Sequence, residues 1–93
     1  AVGATALFDN AAGNNNTAMG YQAMLDNTSG SNNVAMGIGA LSSNTTANFN
    51  TAIGSGALLN NVTGADNVAV GANALSTSTV AQLTAVGSGA LQA

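Results

Sequence analysis

Only three of the 93 residues carry a charged side chain at neutral pH: Asp9, Asp26 and Asp66. Asp9 and Asp26 lie seventeen positions apart. A calcium ion held between them would need further oxygen ligands, because calcium takes roughly six to eight. Two solvated carboxylates are therefore the expected state, and Asp66 reads as a turn former. The only aromatic residues are Phe8, Tyr21 and Phe49. Tyr21 follows a glycine and is expected to face outward, where its ring could stack on a sugar or a base. Phe8 and Phe49 are expected to fill turns or to touch a neighbouring chain. Asn15, Asn27, Asn44 and Asn61 each open an Asn-x-Ser/Thr sequon. A sequon accepts glycan in a eukaryotic secretory route, but a chain rich in Asn and Thr forms such triplets through composition, and turn chemistry explains these four asparagines better.

The missing residue types exclude more than the present ones permit. There is no His, Cys, Lys or Arg. Zinc and haem therefore lack a ligand set. Nucleic acid lacks a basic patch to bind. The usual general bases and activated nucleophiles are absent. A glycan-cleaving enzyme would need two carboxyl groups facing each other across a groove, and Asp9 with Asp26 is the one pair at a regular spacing. The expectation is a chain that is not an enzyme and uses no cofactor or metal. No run of about 18 apolar residues is present, so no membrane-spanning helix is expected. A basic segment followed by an apolar stretch, as in a signal peptide, is also missing. The chain starts and stops in mid-pattern and reads as a piece of a longer fibrous polypeptide.

That pattern is a repeat. Gly3, Gly20, Gly37, Gly54, Gly71 and Gly87 recur at spacings of 17, 17, 17, 17 and 16 residues. Two positions before each glycine stands Ala: Ala1, Ala18, Ala35, Ala52, Ala69, Ala85. One position before stands a larger apolar residue: Val2, Met19, Met36, Ile53, Val70, Val86. Three before comes Thr or Val, and four before comes Asn16, Asn33, Asn50 and Asn67. Four after the glycine comes Leu7, Met24, Leu41, Leu58, Leu75, Leu91, each preceded by Ala. Seven after comes Asn10, Asn27, Asn44, Asn61, then Ser78. A helix does not tolerate Gly and Asn recurring in every turn beside β-branched residues. Alternation over Thr-Ala-Val-Gly fits a short strand, and the Ala-Leu pair suggests a second one. Asn, Gly, Ser and Thr between them supply turn chemistry.

A unit of this size cannot bury an apolar face alone and must stack on its copies. The fold expected is all-β: residues 1–93 form one parallel β-solenoid domain of about five and a half coils, rising ~4.8 Å per coil. In this reading the Val2/Met19/Met36/Ile53/Val70/Val86 column points into the coil, opposite the Leu7/Met24/Leu41/Leu58/Leu75/Leu91 column, and the two form the core. The Ala18/Ala35/Ala52/Ala69/Ala85 column points away and, being always small, is expected to meet a second copy of the chain. Asn10, Asn27, Asn44 and Asn61 are expected to stack as an amide ladder in the turn.

The stretches Asn16-Thr17-Ala18-Met19-Gly20-Tyr21-Gln22-Ala23-Met24 and Asn50-Thr51-Ala52-Ile53-Gly54 resemble the head repeats of trimeric autotransporter adhesins (the YadA-like head). They are similar also to the "NTAxGYxAL" repeats of phage tail fibres. The resemblance covers essentially the whole chain, although the coil here is longer than in the better-known adhesin head. It implies a left-handed β-roll, three chains side by side with a small-residue face near the trimer axis, and an extracellular fibre on a virion or cell. Its partners would be its own copies and a cell-surface glycan or protein receptor, with no nucleic acid and no membrane insertion. The alternatives are an ice-binding solenoid or a purely structural spacer of an extracellular filament.

Overall fold

β-branched or long apolar side chains on both sides of each Ala favour extended backbone. A computed structural model, which describes residues 1–91, has five such segments as strands. These are β1 (Thr17–Met19), β2 (Val34–Met36), β3 (Thr51–Ile53), β4 (Val68–Val70) and β5 (Thr84–Val86). They form one parallel sheet in the order β1-β2-β3-β4-β5. Ala pairs with Ala at every step, from Ala18 with Ala35 to Ala69 with Ala85. Val2 extends the ladder by a parallel bridge to Met19. The chain is therefore an all-β parallel solenoid with one strand per coil, and four turns carry it from β1 to β5.

The strand ends at the glycine because the backbone there turns into a region that side chains rarely enter. Gly20, Gly37, Gly54, Gly71 and Gly87 have φ between 127° and 131°. Three linked turns follow. In the second coil, Ala23 N–H donates to Gly20 O (3.1 Å), Leu25 N–H to Gln22 O (3.3 Å) and Asn27 N–H to Met24 O (3.3 Å). The third residue of the first two turns has positive φ, at Gln22 (60°) and Met24 (52°), as type II turn geometry requires. The Ala-Leu pair, expected as a second strand, lies within these turns. The switch of φ sends two consecutive side chains inward: Ala23 and Met24 are both buried, as are Ala40 and Leu41, Ala57 and Leu58, and Ala74 and Leu75. Holding a leucine in the left-handed region costs about 1–2 kcal/mol, and burying its side chain contributes roughly 1.5–3 kcal/mol. The stack also fixes the turns: Met24 N–H donates to Ala40 O (2.9 Å), and Leu41 N–H to Ala57 O (3.0 Å).

The inside and outside of the strand are the reverse of the sequence expectation. Ala18, Ala35, Ala52, Ala69 and Ala85 are the inward residues, 0–4% exposed within a single chain. They cannot be a face for another copy. Val2, Met19, Met36, Ile53 and Val86 point outward and are exposed, with Val70 half-buried. The reason is space. The alanines pack against the Ala-Leu pairs of the turns and form one core cluster with them. Two columns of asparagine fill the rest of the interior. A coil this narrow has no volume left for Met or Ile. Thr17, Val34, Thr51, Val68 and Thr84 lie two residues from the outward column and share its face. In the Leu column Met24, Leu41, Leu58 and Leu75 are fully buried, while Leu7 is half-buried and Leu91 exposed, at the two ends of the stack.

Candidate functional site

Both asparagine columns lie inside the coil. In the first, Asn27 Nδ2 donates to Asn10 Oδ1 (2.8 Å), Asn44 Nδ2 to Asn27 Oδ1 (2.9 Å) and Asn61 Nδ2 to Asn44 Oδ1 (3.3 Å). Each Nδ2 also donates to the carbonyl three residues on: Gly13, Gly30, Ala47 and Gly64 for Asn10, Asn27, Asn44 and Asn61. In the second column the oxygen caps the backbone of the next coil. Asn50 N–H donates to Asn33 Oδ1 (2.8 Å) and Asn67 N–H to Asn50 Oδ1 (3.0 Å). Its Nδ2 reaches across the coil, Asn33 to Ala47 O (2.9 Å) and Asn50 to Gly64 O (2.9 Å). The columns are tied together where Asn50 Nδ2 donates to Asn44 Oδ1 and Asn67 Nδ2 to Asn61 Oδ1, both at 3.4 Å. No buried side-chain nitrogen or oxygen among the described residues lacks a partner. These amides hold the coil's shape, and from Asn27 to Asn67 they present nothing to solvent, while Asn10 and Asn16 at the first coil are open to it.

The ladder stops in the fifth coil. Leu83 stands where Asn would be, accepts no amide role, and packs its side chain on the core. Its N–H still donates to Asn67 Oδ1 (2.9 Å). Asn67 Nδ2 donates to Val80 O (2.8 Å), so Val80 takes the place of Gly30, Ala47 and Gly64. The missing residue of this coil therefore falls beside Thr79, where other coils have two residues, such as Val62 and Thr63.

The sequons sort by burial. Asn27, Asn44 and Asn61 are fully buried with their Nδ2 atoms engaged, and only Asn15 is exposed. Asp9, Asp26 and Asp66 are all exposed. Among the described residues no three His, Cys, Asp or Glu side chains come together as a metal could require. No pocket opens on the surface they form, and no helix among them is long and apolar enough to cross a membrane.

Two surfaces remain. The first is the outward face of the sheet, where Val2, Met19, Met36, Ile53 and Val86 stay exposed in one continuous column running from coil to coil, with Val70 completing it. No charged residue occupies this column or the Thr/Val column beside it. Contiguous exposed apolar surface of this kind marks an interaction face. As the largest apolar side chains of each strand, these residues were expected in the core. Their variation among Val, Met and Ile, beside an Ala that never varies, was the signal that the Ala column is the confined one.

The second is a turn column five positions before each glycine: Asn15, Asn32, Phe49, Asp66 and Gln82, with φ of 58°, 60°, 61°, 61° and 62°. Asn and Asp tolerate this left-handed conformation, whereas for a bulky residue it is an outlier. Phe49 is also 60% exposed, so little packing offsets the strain. Phe49→Asn is expected to raise folding stability by about 1 kcal/mol. For a domain of this size that is a rise of roughly 4–8 °C in the thermal midpoint. A melt followed by circular dichroism measures it, and an unchanged or lowered midpoint would show that the ring stabilises the fold.

The chain is thus a parallel β-solenoid with an amide-filled core, one apolar sheet face and one polar turn edge interrupted by an aromatic ring. No protein-family model, no curated protein and no solved structure matches it.

Proposed function

We propose that this chain is a structural and adhesive segment of a fibre in which three copies stand side by side, as a phage tail fibre or a bacterial adhesin head does. The fibre projects into the extracellular space and carries attachment to a cell surface. The supporting observation is the apolar column Val2/Met19/Met36/Ile53/Val70/Val86, which runs the full height of a rod of stacked coils. Copies aligned along the rod bury this column over its whole length without desolvating a charge. The three-fold count and the left-handed winding come from the resemblance to adhesin-head and tail-fibre repeats. The interface differs from the sequence expectation: the larger apolar side chains would meet there, while the alanines stay inside each coil. The role is mechanical and adhesive, and no catalysis is assigned to it. Ice binding is the weaker reading, because Val34 and Val68 interrupt the outward Thr column and methionines stand beside it.

Sedimentation equilibrium decides the assembly. The wild-type chain is expected at three times its monomer mass. Ile53→Lys places an ammonium group on the outward face, where three would meet without partners. Burying an unpaired charge costs on the order of several kcal/mol, so this variant is expected to sediment as one chain with an unchanged circular dichroism spectrum. A wild-type chain that sediments as a monomer at high micromolar concentration would refute the assembly.

A further inference from the structure

We propose that Phe49, between Asn32 and Asp66, is a binding platform for a neutral carbohydrate polymer. This rests on the attachment reading above but not on the three-chain assembly, since all three residues belong to one turn edge of a single chain.

Successive coils place the three side chains in register. Phe49 N–H donates to Ser31 O (3.2 Å) and Asp66 N–H to Asn48 O (3.2 Å). The three residues leave the backbone at nearly the same φ, 60–61°, about one rung of ~4.8 Å apart. That rung is close to the width of a pyranose ring. An aromatic face offers stacking to the apolar C–H side of a sugar, while an amide on one side and a carboxylate on the other can bond its hydroxyl groups. A neighbouring amide is held in place: Asn48 Oδ1 accepts the Ser31 N–H at 2.7 Å. No pocket opens among the described residues, so a flat, extended polymer fits this edge better than a small molecule that must be enclosed.

The other aromatic residues have different surroundings. Tyr21 shares its column with Ala4 and Ile38, and Phe8 shares its column with Leu25 and Leu59. Phe49 alone is an exposed ring in a column that is otherwise polar, held in a backbone conformation that its neighbours fill with Asn and Asp. The ligand class follows from charge. The chain has three Asp and no Lys or Arg, which disfavours nucleic acid and acidic glycans, and polar flanks disfavour a lipid.

The test uses the full chain, fluorescently labelled at its N-terminus, on an array of neutral and sialylated glycans. Soluble cellohexaose, maltohexaose, chitohexaose and mannohexaose are then titrated into 15N-labelled protein. The expected result is retention by at least one neutral glycan, with the amide shifts of Asn32, Phe49 and Asp66 moving most. Phe49→Asn, whose side chain already fills this column at positions 15 and 32, is expected to weaken that binding at least tenfold. Its circular dichroism and sedimentation mass are expected to stay unchanged, and Phe49→Tyr is expected to retain binding. The proposal is overturned if no neutral glycan binds, if the shifts map elsewhere, or if Phe49→Asn binds as tightly as wild type. It is equally overturned if Phe49→Asn changes the sedimentation mass, because the ring would then be a contact between copies. Sugar binding by a chain that sediments as a monomer would refute the three-chain assembly and leave this site standing. Three assembled chains that bind no neutral glycan would do the reverse.

Discussion

Gly54→Ala is expected to destabilise the fold far more than Gly87→Ala. Both glycines have positive φ, 131° and 127°, so both substitutions carry the same backbone strain, about 1–3 kcal/mol. They differ in what lies above them. A Cβ on Gly54 would stand 2.5 Å from Gly71 O and 2.6 Å from Gly71 C. Those are backbone atoms of the next coil, and no rotamer change moves them. Gly54 is itself pinned, its N–H donating to Met36 O at 2.7 Å and its carbonyl accepting from Ala57 N–H at 3.1 Å. A Cβ on Gly87 would meet only Ala90 Cβ, at 3.9 Å. Overpacking adds roughly 1–3 kcal/mol to the strain, so Gly54→Ala loses on the order of 2–6 kcal/mol. A domain's whole stability is about 5–15 kcal/mol. Urea unfolding of both variants measures the difference. Equal midpoints would mean that the coils are not in the close contact described.

Asn44→Ala is expected to be nearly as damaging, and Asn10→Ala mild, although both belong to one column. Asn44 Nδ2 gives its two hydrogens to Asn27 Oδ1 and Ala47 O, and its Oδ1 accepts from Asn61 and Asn50. Truncation strands the Asn27 oxygen and one hydrogen on each of the other two amides, all in residues with no exposed surface. Each stranded buried group costs about 1–3 kcal/mol, so a loss of at least ~3 kcal/mol is expected. Asn10 lies at the exposed end of the column, where it donates to Gly13 O at 3.1 Å and accepts from Asn27 Nδ2 at 2.8 Å, a bond that water can replace at this exposed position. Its loss costs about 0.5–1.5 kcal/mol. Asn44→Asp separates shape from hydrogen bonding. It keeps the volume but turns oxygen toward Asn27 Oδ1 and Ala47 O, and it is expected to do no better than Ala. If Asn44→Asp melts with wild type, the ladder contributes no hydrogen-bond energy.

The repeat was legible because every coil uses the same residues at the same places, and stacking demands that: an Ala column, a Leu column and two Asn columns each need copies above and below. What the spacing could not give was the direction of the side chains. A three-residue strand such as Thr51–Ile53 alternates either way equally well, and the general preference for large apolar residues inside pointed to Ile53 rather than Ala52. The interior volume decided otherwise. Two buried asparagines per coil leave room only for Ala beside Leu. The Ala-Leu pair misled for a related reason. In a strand its members would face opposite sides, and only the left-handed φ at Leu58 lets Ala57 and Leu58 both point inward. Leucine carries no local sign of that conformation. The platform at Phe49 was equally hidden: a lone Phe between asparagines reads as turn filler until its exposure and φ are known.

Each strand touches only the strands immediately before and after it, and the amide bonds of the interior step from one coil to the next. Adding or removing one seventeen-residue block in register therefore alters no contact type. It changes only reach, by ~4.8 Å a step. A protein built this way is a ruler graduated in single coils: gene duplication or slippage can tune how far it extends without any redesign of its core.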